Sequence, residues 1–353
     1  MKKILLSVFA VAALASCFQN EDIVSTSDNN AIKFDSYVGN TTKAIDPSLT
    51  KATLQSFQVW GTTQGDHKLD NGDAAAIVPI FTDLKVSKND AGAWRYNEDS
   101  TAYWIPGNTY NFAAVVNANV RDDKTIVTLG ANGLPEKIYY NLPSLGNYDD
   151  RDLLYAEVKG IPGEDKGNGT DGKVAFAFDH LLSKAVFTFT NNSAEPSKNI
   201  YVVRDIVIGC VWDGIYTVSS KTWEAGGTTM TIKFGNIVAN DQQAEASPIL
   251  STPLKSQYQR LLIPVANQDI FIECKIELYL NGEVKPENLA DKINYFHKPT
   301  LNLQPGFSYN FALSAGLNDK IEFEVTKVEG WTENHPTLEQ PNHDNPNIPD
   351  QNN

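Results

Sequence analysis

The sequence has little cysteine, no excess of basic residues and no long hydrophobic run. Its 353 residues include three cysteines, and the formal net charge is −14. Nucleic-acid binding requires a basic surface that displaces counterions from phosphates, so this charge excludes nucleic acid as a partner. The apolar run at residues 4–14 is too short to span a bilayer. Long helical patterns are also missing, which excludes an α/β domain.

The motifs of common enzyme families are missing as well. The chain has no Gly-x-Ser-x-Gly, no His-Glu-x-x-His and no phosphate-binding glycine-rich loop. Its histidines are scattered along the sequence: His67, His180, His297, His335 and His343. His180 follows Asp179 in a predicted turn, where a histidine more often holds backbone than transfers protons. We therefore predict no catalytic residue and no cofactor.

Two acidic segments were weighed as possible sites. The cluster Asp149-Asp150-Arg151-Asp152 contains the paired carboxylates that glycoside cleavage uses, but a solvated turn is the better interpretation. Residues 164–172 have the composition of a calcium loop, yet they lack the spacing and final glutamate of an EF-hand. The sequence therefore predicts no metal site.

The N-terminus has the pattern of a bacterial lipoprotein. Lys2 and Lys3 precede the apolar run, and Leu14-Ala15-Ser16-Cys17 has the small residues and the cysteine of a lipoprotein cleavage box. This predicts a signal peptide at residues 1–16 and lipidation of Cys17 with acyl chains such as palmitate, which would anchor the protein to the cell outer membrane. Residues 17–30 are polar and acidic and are predicted to form a flexible tether.

Residues 31–44 combine a strand with a possible cleavage site. Ile32, Phe34 and Val38 are spaced as one buried face of a strand, and polar turn residues follow at positions 39–42. Lys43-Ala44 then lies where a trypsin-like protease would find an exposed loop. Cleavage there would make the strand removable. The alternative is an ordinary first strand followed by a solvated lysine.

The rest of the chain is predicted to be all-β, because short alternating runs are separated by Gly, Asn and Asp. The main predicted strands are residues 54–60, 110–116, 138–140, 153–156, 174–178, 185–189, 202–211, 230–234, 261–265, 270–280, 307–313 and 321–328. Gly61 is expected to end the first of these, and Asn281-Gly282 to form a two-residue hairpin. Cys210 and Cys274 lie on apolar faces and are interpreted as buried core residues, although a disulfide between them remains open.

The order of several short motifs resembles the fimbrillin family of Bacteroidota, the subunits of type V pili and their relatives. The motifs are Ile32-Lys33-Phe34, Thr42-Lys43-Ala44, Asp152-Leu153-Leu154-Tyr155-Ala156, residues 178–184, Leu303-Gln304-Pro305-Gly306, Tyr309 and Gly330-Trp331. The resemblance implies two tandem transthyretin-like β-sandwich domains, which we expect at residues 31–182 and 183–335, with a disordered tail at 336–353. It further implies removal of the first strand by a protease and its replacement by a strand from another pilus subunit.

Two features depart from the pilus-shaft pattern. Lysine replaces the arginine that precedes the cut in the best-known shaft subunits. Residues 332–353 contain only Leu338 and Ile348 as aliphatic residues, so they are a poor donor strand. Residues 321–328 are an alternative donor, or the chain is an accessory or unpolymerised subunit. The rival function is a stand-alone surface lipoprotein whose tryptophans, including Trp60 and Trp212, bind glycans, although such aromatics also fill sandwich cores.

Overall fold

The computed structural model describes residues 30–38, 53–66, 74–118, 125–142, 151–169, 172–237, 254–256, 258–317 and 320–328. Regular structure in these residues is β-strand, apart from short 3-10 helices such as Glu98–Ser100 and Pro286–Asn288. The all-β prediction is therefore confirmed. In the described ranges no helix is long and apolar enough to cross a membrane.

The strands are numbered in chain order. They are β1 (Lys33–Val38), β2 (Ser56–Gly65), β3 (Val78–Lys88), β4 (Trp94–Arg95), β5 (Asn108–Val116), β6 (Thr125–Leu129), β7 (Pro135–Asn141), β8 (Leu154–Pro162), β9 (Lys173–His180), β10 (Ser183–Asn191), β11 (Ile200–Val211), β12 (Asp213–Thr217), β13 (Thr222–Ala225), β14 (Thr229–Ile237), β15 (Leu254–Lys255), β16 (Arg260–Leu262), β17 (Gln268–Asp269), β18 (Phe271–Tyr279), β19 (Leu289–His297), β20 (Thr300–Leu301), β21 (Ser308–Ala315) and β22 (Ile321–Val328).

The N-terminal strands form a sheet that curls until its two edges meet. Its strand order is β1-β9-β8-β5-β2-β3-β4. Phe34 on the β1 edge has its ring centroid 5.6 Å from that of Phe81 on β3 and 5.7 Å from that of Tyr96, which follows β4. The enclosed core is mainly aromatic, and Phe57, Phe112 and other rings are almost fully buried in it. Burial of these rings is the main stabilising contribution here.

The remaining strands form three further main sheets and one small pair. One sheet has the order β15-β10-β21-β22, and β16 also pairs with β10. The other two main sheets have the orders β14-β11-β18-β19 and β13-β12-β7-β6. The small pair is β17-β20. The sheet β13-β12-β7-β6 combines strands from both sides of residue 182. A second apolar cluster runs from Trp60 on β2 through Tyr216 to Phe187 and Phe311. The division into domains at residues 31–182 and 183–335 stays a prediction.

Gly61 does not end a strand, contrary to expectation. β2 continues through it to Gly65, and the pairing with β3 shifts register on either side of Gly61. A Cβ atom at this position would lie 2.9 Å from ring atoms of both Phe81 and Phe112. Glycine is needed there because two core rings approach the backbone closely.

The predicted two-residue hairpin at Asn281-Gly282 is also wrong in length. Both residues have the expected positive φ, 62° and 74°. However, β18 ends at Tyr279 and β19 begins at Leu289, with the helix Pro286–Asn288 between them. The positive φ values therefore serve one turn of a longer connection.

Cys210 and Cys274 are buried in the core and are not joined by a disulfide. Their interpretation as core residues is confirmed. Burial raises the pKa of the Cys274 thiol to about 12, so it stays protonated and unreactive near neutral pH.

Candidate functional site

The first strand, β1, lies at the edge of the curled sheet. It runs parallel to β9, with Lys33 opposite Lys173 and Val38 opposite Phe178. Among the described residues no strand pairs with its other edge along residues 33–38. Because β1 is an edge strand that pairs only with β9 in the described structure, it can be withdrawn without separating any other pair of strands.

The N-terminal end of β1 is fastened to a second segment, residues 102–104. The Ile32 amide donates to the Ala102 carbonyl over 2.9 Å, and the Trp104 amide donates to the Asn30 carbonyl over 3.0 Å. The Tyr96 hydroxyl also donates to the Ile32 carbonyl over 2.5 Å. Residues 30–32 thus close the gap between the two edges of the sheet.

Tyr96 is suited to that contact because it stays neutral. Burial, and secondarily the nearby Tyr103 side chain, raise the pKa of Tyr96 to about 12. Its hydroxyl therefore remains a hydrogen-bond donor throughout the physiological pH range.

The inward side chains of β1 complete the aromatic core. Ile32 is fully buried and Phe34 is 4% exposed, as the alternation predicts. The Phe34 ring stacks on Phe176 of β9 at 5.8 Å and meets Phe112 edge-on at 6.1 Å. Full burial of such a side chain is worth about 1.5–3 kcal/mol. Departure of β1 would open an apolar groove lined by the aromatic side chains of β3, β5 and β9.

The third inward position of β1 holds Ser36. Its side chain is 3% exposed, and its Oγ atom has no hydrogen-bond partner among the described residues. Its Cα is in register with that of Phe176, another fully buried inward residue. Ser36 is a polar residue in an apolar groove, and sequence reasoning did not single it out.

The other predicted processing residues lie outside the described ranges. Cys17, Lys43 and Ala44 belong to that group, and Val38 is described by its backbone pairing alone. Lipidation at Cys17, cleavage at Lys43-Ala44 and removal of the strand that carries Ile32, Phe34 and Val38 all stay predictions.

The alternative donor segment, residues 321–328, forms the predicted strand, β22, and its role as a donor stays a prediction. It pairs antiparallel with β21, from Ile321 opposite Ala315 to Val328 opposite Ser308. β22 is an edge strand, and its inward residues Ile321, Phe323 and Val325 are only half-buried against the core. Like β1, it therefore has a neighbour on only one side in the order of its sheet.

His180 and Asp152 form a buried pair. His180 Nδ1 lies 2.7 Å from Asp152 Oδ2, and the two side chains are 1% and 0% exposed. The predicted solvated turn is therefore wrong for Asp152, and His180 holds a carboxylate in addition to lying in the chain reversal between β9 and β10. The pair fastens the start of β8 to the end of β9, the strand on which β1 rests. Polar residues beside apolar ones, in Asp152-Leu153-Leu154 and His180-Leu181-Leu182, are the sequence signal that could have revealed it.

A local repeat was also missed. Pro106-Gly107 and Pro305-Gly306 are each followed, two residues later, by Tyr-Asn-Phe-Ala. The Tyr110 hydroxyl accepts a hydrogen bond from the Ile105 amide, and the Tyr309 hydroxyl accepts one from the Gln304 amide. Each tyrosine thus fastens the loop before its own strand, and the loop before β5 is the one that holds residues 30–32.

The remaining candidate sites are not assembled. In the described part of the chain no three His, Cys, Asp or Glu side chains converge as metal ligands. Glu164, from the calcium-like segment, accepts a hydrogen bond from the Gly107 amide over 2.6 Å. Trp60 is 2% exposed, and Trp212 is half-buried with its Nε1 donating to the Leu142 carbonyl. Trp60 is therefore a core residue, and Trp212 is held to the backbone by its indole nitrogen.

Comparisons with known proteins agree with this architecture. The model of a family described as fimbrillin-like matches residues 42–331. The crystal structure of a fimbrial protein from Bacteroides vulgatus is similar with a TM-score of 0.64 at 18% identity, covering 86% of this chain and 100% of that chain. The fimbrial anchor protein Mfa2 from Porphyromonas gingivalis is similar with a TM-score of 0.33 at 12% identity, covering 85% and 98%. No curated protein sequence matches the chain.

Proposed function

Because the chain belongs to the fimbrillin-like family, we propose that it is a structural or accessory subunit of a surface pilus that serves adhesion. It is exported as a lipoprotein, and it assembles when a protease removes the first strand and a strand of another subunit takes its place. It has no enzymatic activity of its own. Its partners are other pilus subunits, the processing protease and the outer membrane, the last through lipid on Cys17.

The observation that carries this proposal is the position of β1. This strand completes an aromatic core, yet in the described structure residues 33–38 pair with a neighbouring strand along one edge only. An open edge beside an apolar groove is the site at which a strand from another chain adds to a sheet. The family match begins at residue 42, beside the predicted cut at Lys43-Ala44, so the part that matches excludes β1.

The identity of the donated strand bears on the type of subunit. Residues 332–353 are polar and offer few side chains for an apolar groove. β22 has the apolar alternation that a donor needs, but it is paired with β21 in its own chain. Donation of β22 would require its release from β21, and a chain that does not donate β22 would be an accessory or terminal subunit.

The experiment that tests the proposal compares wild type with Lys43→Ala after limited trypsin digestion. Wild type should be cut first after Lys43, because the segment around it is polar and an exposed loop is the preferred cleavage site. At high concentration the cut protein should then form oligomers, detected by light scattering and as bands on gels. Lys43→Ala should keep β1 and remain monomeric.

Two outcomes would contradict strand replacement. One is that intact Lys43→Ala associates as readily as cut wild type. The other is that cut wild type stays monomeric after the first strand has been removed by gel filtration in mild denaturant. Either result would leave a stand-alone surface lipoprotein as the function.

A further inference from the structure

β1 fits its groove unequally along its length. Its inward positions are occupied by Ile32, Phe34 and Ser36, and all three are at least 96% buried. Ile32 and Phe34 pack in the aromatic core, whereas the Ser36 Oγ is buried with no hydrogen-bond partner among the described residues. A buried hydroxyl without a partner weakens an assembly by on the order of tenfold in its equilibrium constant. The third inward position, Ser36, therefore contributes least to the binding of β1 in its groove.

The surroundings of Ser36 explain why a larger apolar residue would bind better. Its partner in register, Phe176, stacks with Phe34 and meets Phe57 edge-on at 5.7 Å. These rings offer only apolar surface, and a serine presents to them a single methylene and an unsatisfied oxygen. The Ser36 amide, by contrast, has a partner, since it donates to Asp35 Oδ1 over 2.7 Å. The misfit is therefore confined to the Ser36 side chain.

Strand β22 repeats the pattern of β1 at the three described inward positions with one difference, and Lys327 falls at the position of Val38, which is also predicted to face inward. Ile321, Phe323 and Val325 follow each other at the same spacing as Ile32, Phe34 and Ser36, so valine stands where β1 has serine. In their own sheet these three residues are only half-buried. In the groove, the β1 residues at the corresponding positions are almost completely buried. Transfer of β22 into a groove would increase the burial of all three side chains.

Resting on the strand replacement proposed above, we infer that Ser36 is the position that makes β1 replaceable, and that the groove selects a strand with an aliphatic residue there. The occupant is β22 of a second copy of this chain, lying in the direction of β1 with Ile321, Phe323 and Val325 at the positions of Ile32, Phe34 and Ser36. Ser36 is then a specificity-determining residue of β1. It lowers the affinity of β1 for the groove while the strand still completes the fold before cleavage.

The first test changes Ser36 in the full chain. A fluorophore is attached near the N-terminus, the protein is cut after Lys43, and release of the labelled segment is followed over time. Ser36→Val should slow release about tenfold, because the groove gains apolar contacts and loses the unsatisfied hydroxyl. Lys33→Val is the matched control, since it adds the same side chain on the outward face, and it should leave the rate unchanged. Equal rates for Ser36→Val and wild type would overturn the inference.

The second test leaves the protein unchanged and varies the competitor. A synthetic peptide of residues 321–328 should displace the labelled segment from cut wild type about tenfold faster than the same peptide with Val325→Ser. Equal rates for the two peptides would overturn the assignment of Ser36, even if Ser36→Val fails to fold. Discrimination between the peptides without association of whole chains would support the assignment of Ser36 and count against the pilus role.

Discussion

Strands β1 and β10 are built alike but held differently. Each begins against a tyrosine-fastened loop: Ile32 donates to Ala102, and the Ser183 hydroxyl donates to the Gln304 carbonyl over 2.7 Å. Each also runs parallel to a later strand, β9 for β1 and β21 for β10. β10, however, has β15 and β16 on its other edge, and most of its residues are buried.

The two strands differ in what their removal would do to the rest of their sheets. Removal of β10 would separate β21 from β15 and β16 and expose the core around Phe187 and Phe311. Removal of β1 separates no other pair of strands and exposes a single groove. The proposed strand exchange therefore fits β1 and not β10, because within the described residues β1 has no neighbour on its outer edge and β10 does.

The largest expected effect comes from truncating the central ring of each strand. Phe187→Ala should lower the free energy of unfolding by about 3–5 kcal/mol whether or not β1 is present. Phe34→Ala should have a comparable cost in intact protein, whereas after β1 has been removed its residues no longer contribute. Urea unfolding followed by tryptophan fluorescence measures both. A cost of Phe34→Ala far below that of Phe187→Ala in intact protein would show that β1 contributes little to the core that it completes.

A smaller effect is expected at the pair Asp152–His180, which holds β9, the strand beside the groove. Asp152→Asn replaces a charged acceptor of His180 by an amide and should cost about 1–3 kcal/mol of unfolding free energy. Because the pair joins β8 to β9, the loss should be the same with and without β1. Asp179→Asn, at an exposed neighbouring position, is the control and should be nearly neutral. If Asp152→Asn lowers the unfolding free energy only while β1 is present, then β1 itself helps to hold β8 against β9.

The smallest effect concerns the fastening of β1. Tyr96→Phe keeps the ring beside Phe34 but removes the hydrogen bond to the Ile32 carbonyl, which is worth about 0.5–1.5 kcal/mol. Cut protein should therefore release its first strand several-fold faster, as measured by gel filtration of the labelled fragment. Tyr103→Phe, at an exposed ring, should not change the rate. Unchanged release from Tyr96→Phe would mean that pairing with β9 alone retains β1.

Sequence patterns predicted many elements because each pattern is local. Alternation at Ile32 and Phe34 predicted a strand with one buried face, and residues 321–328 were predicted to form the strand that the structure contains. Strands β3 and β19 were missed because neither has a clean alternation of buried and exposed residues. Gly61 was misinterpreted because a glycine between two approaching rings has the same sequence signature as one that ends a strand.

The sequence alone determined that Ile32 and Phe34 face inward, where a lipid and a protease would be expected to act, and that the chain is all-β. It also contained the Ile-x-Phe pattern shared by residues 32–34 and 321–323. Only the tertiary structure decided that β1 pairs with one strand and that the Ser36 hydroxyl is buried without a hydrogen-bond partner, both among the described residues, and that Asp152 reaches His180. The physical reason is that the alternation of apolar and polar residues along a strand shows which face is buried, and this pattern is local. Strand pairing and buried polar contacts, by contrast, join segments that are far apart in the chain.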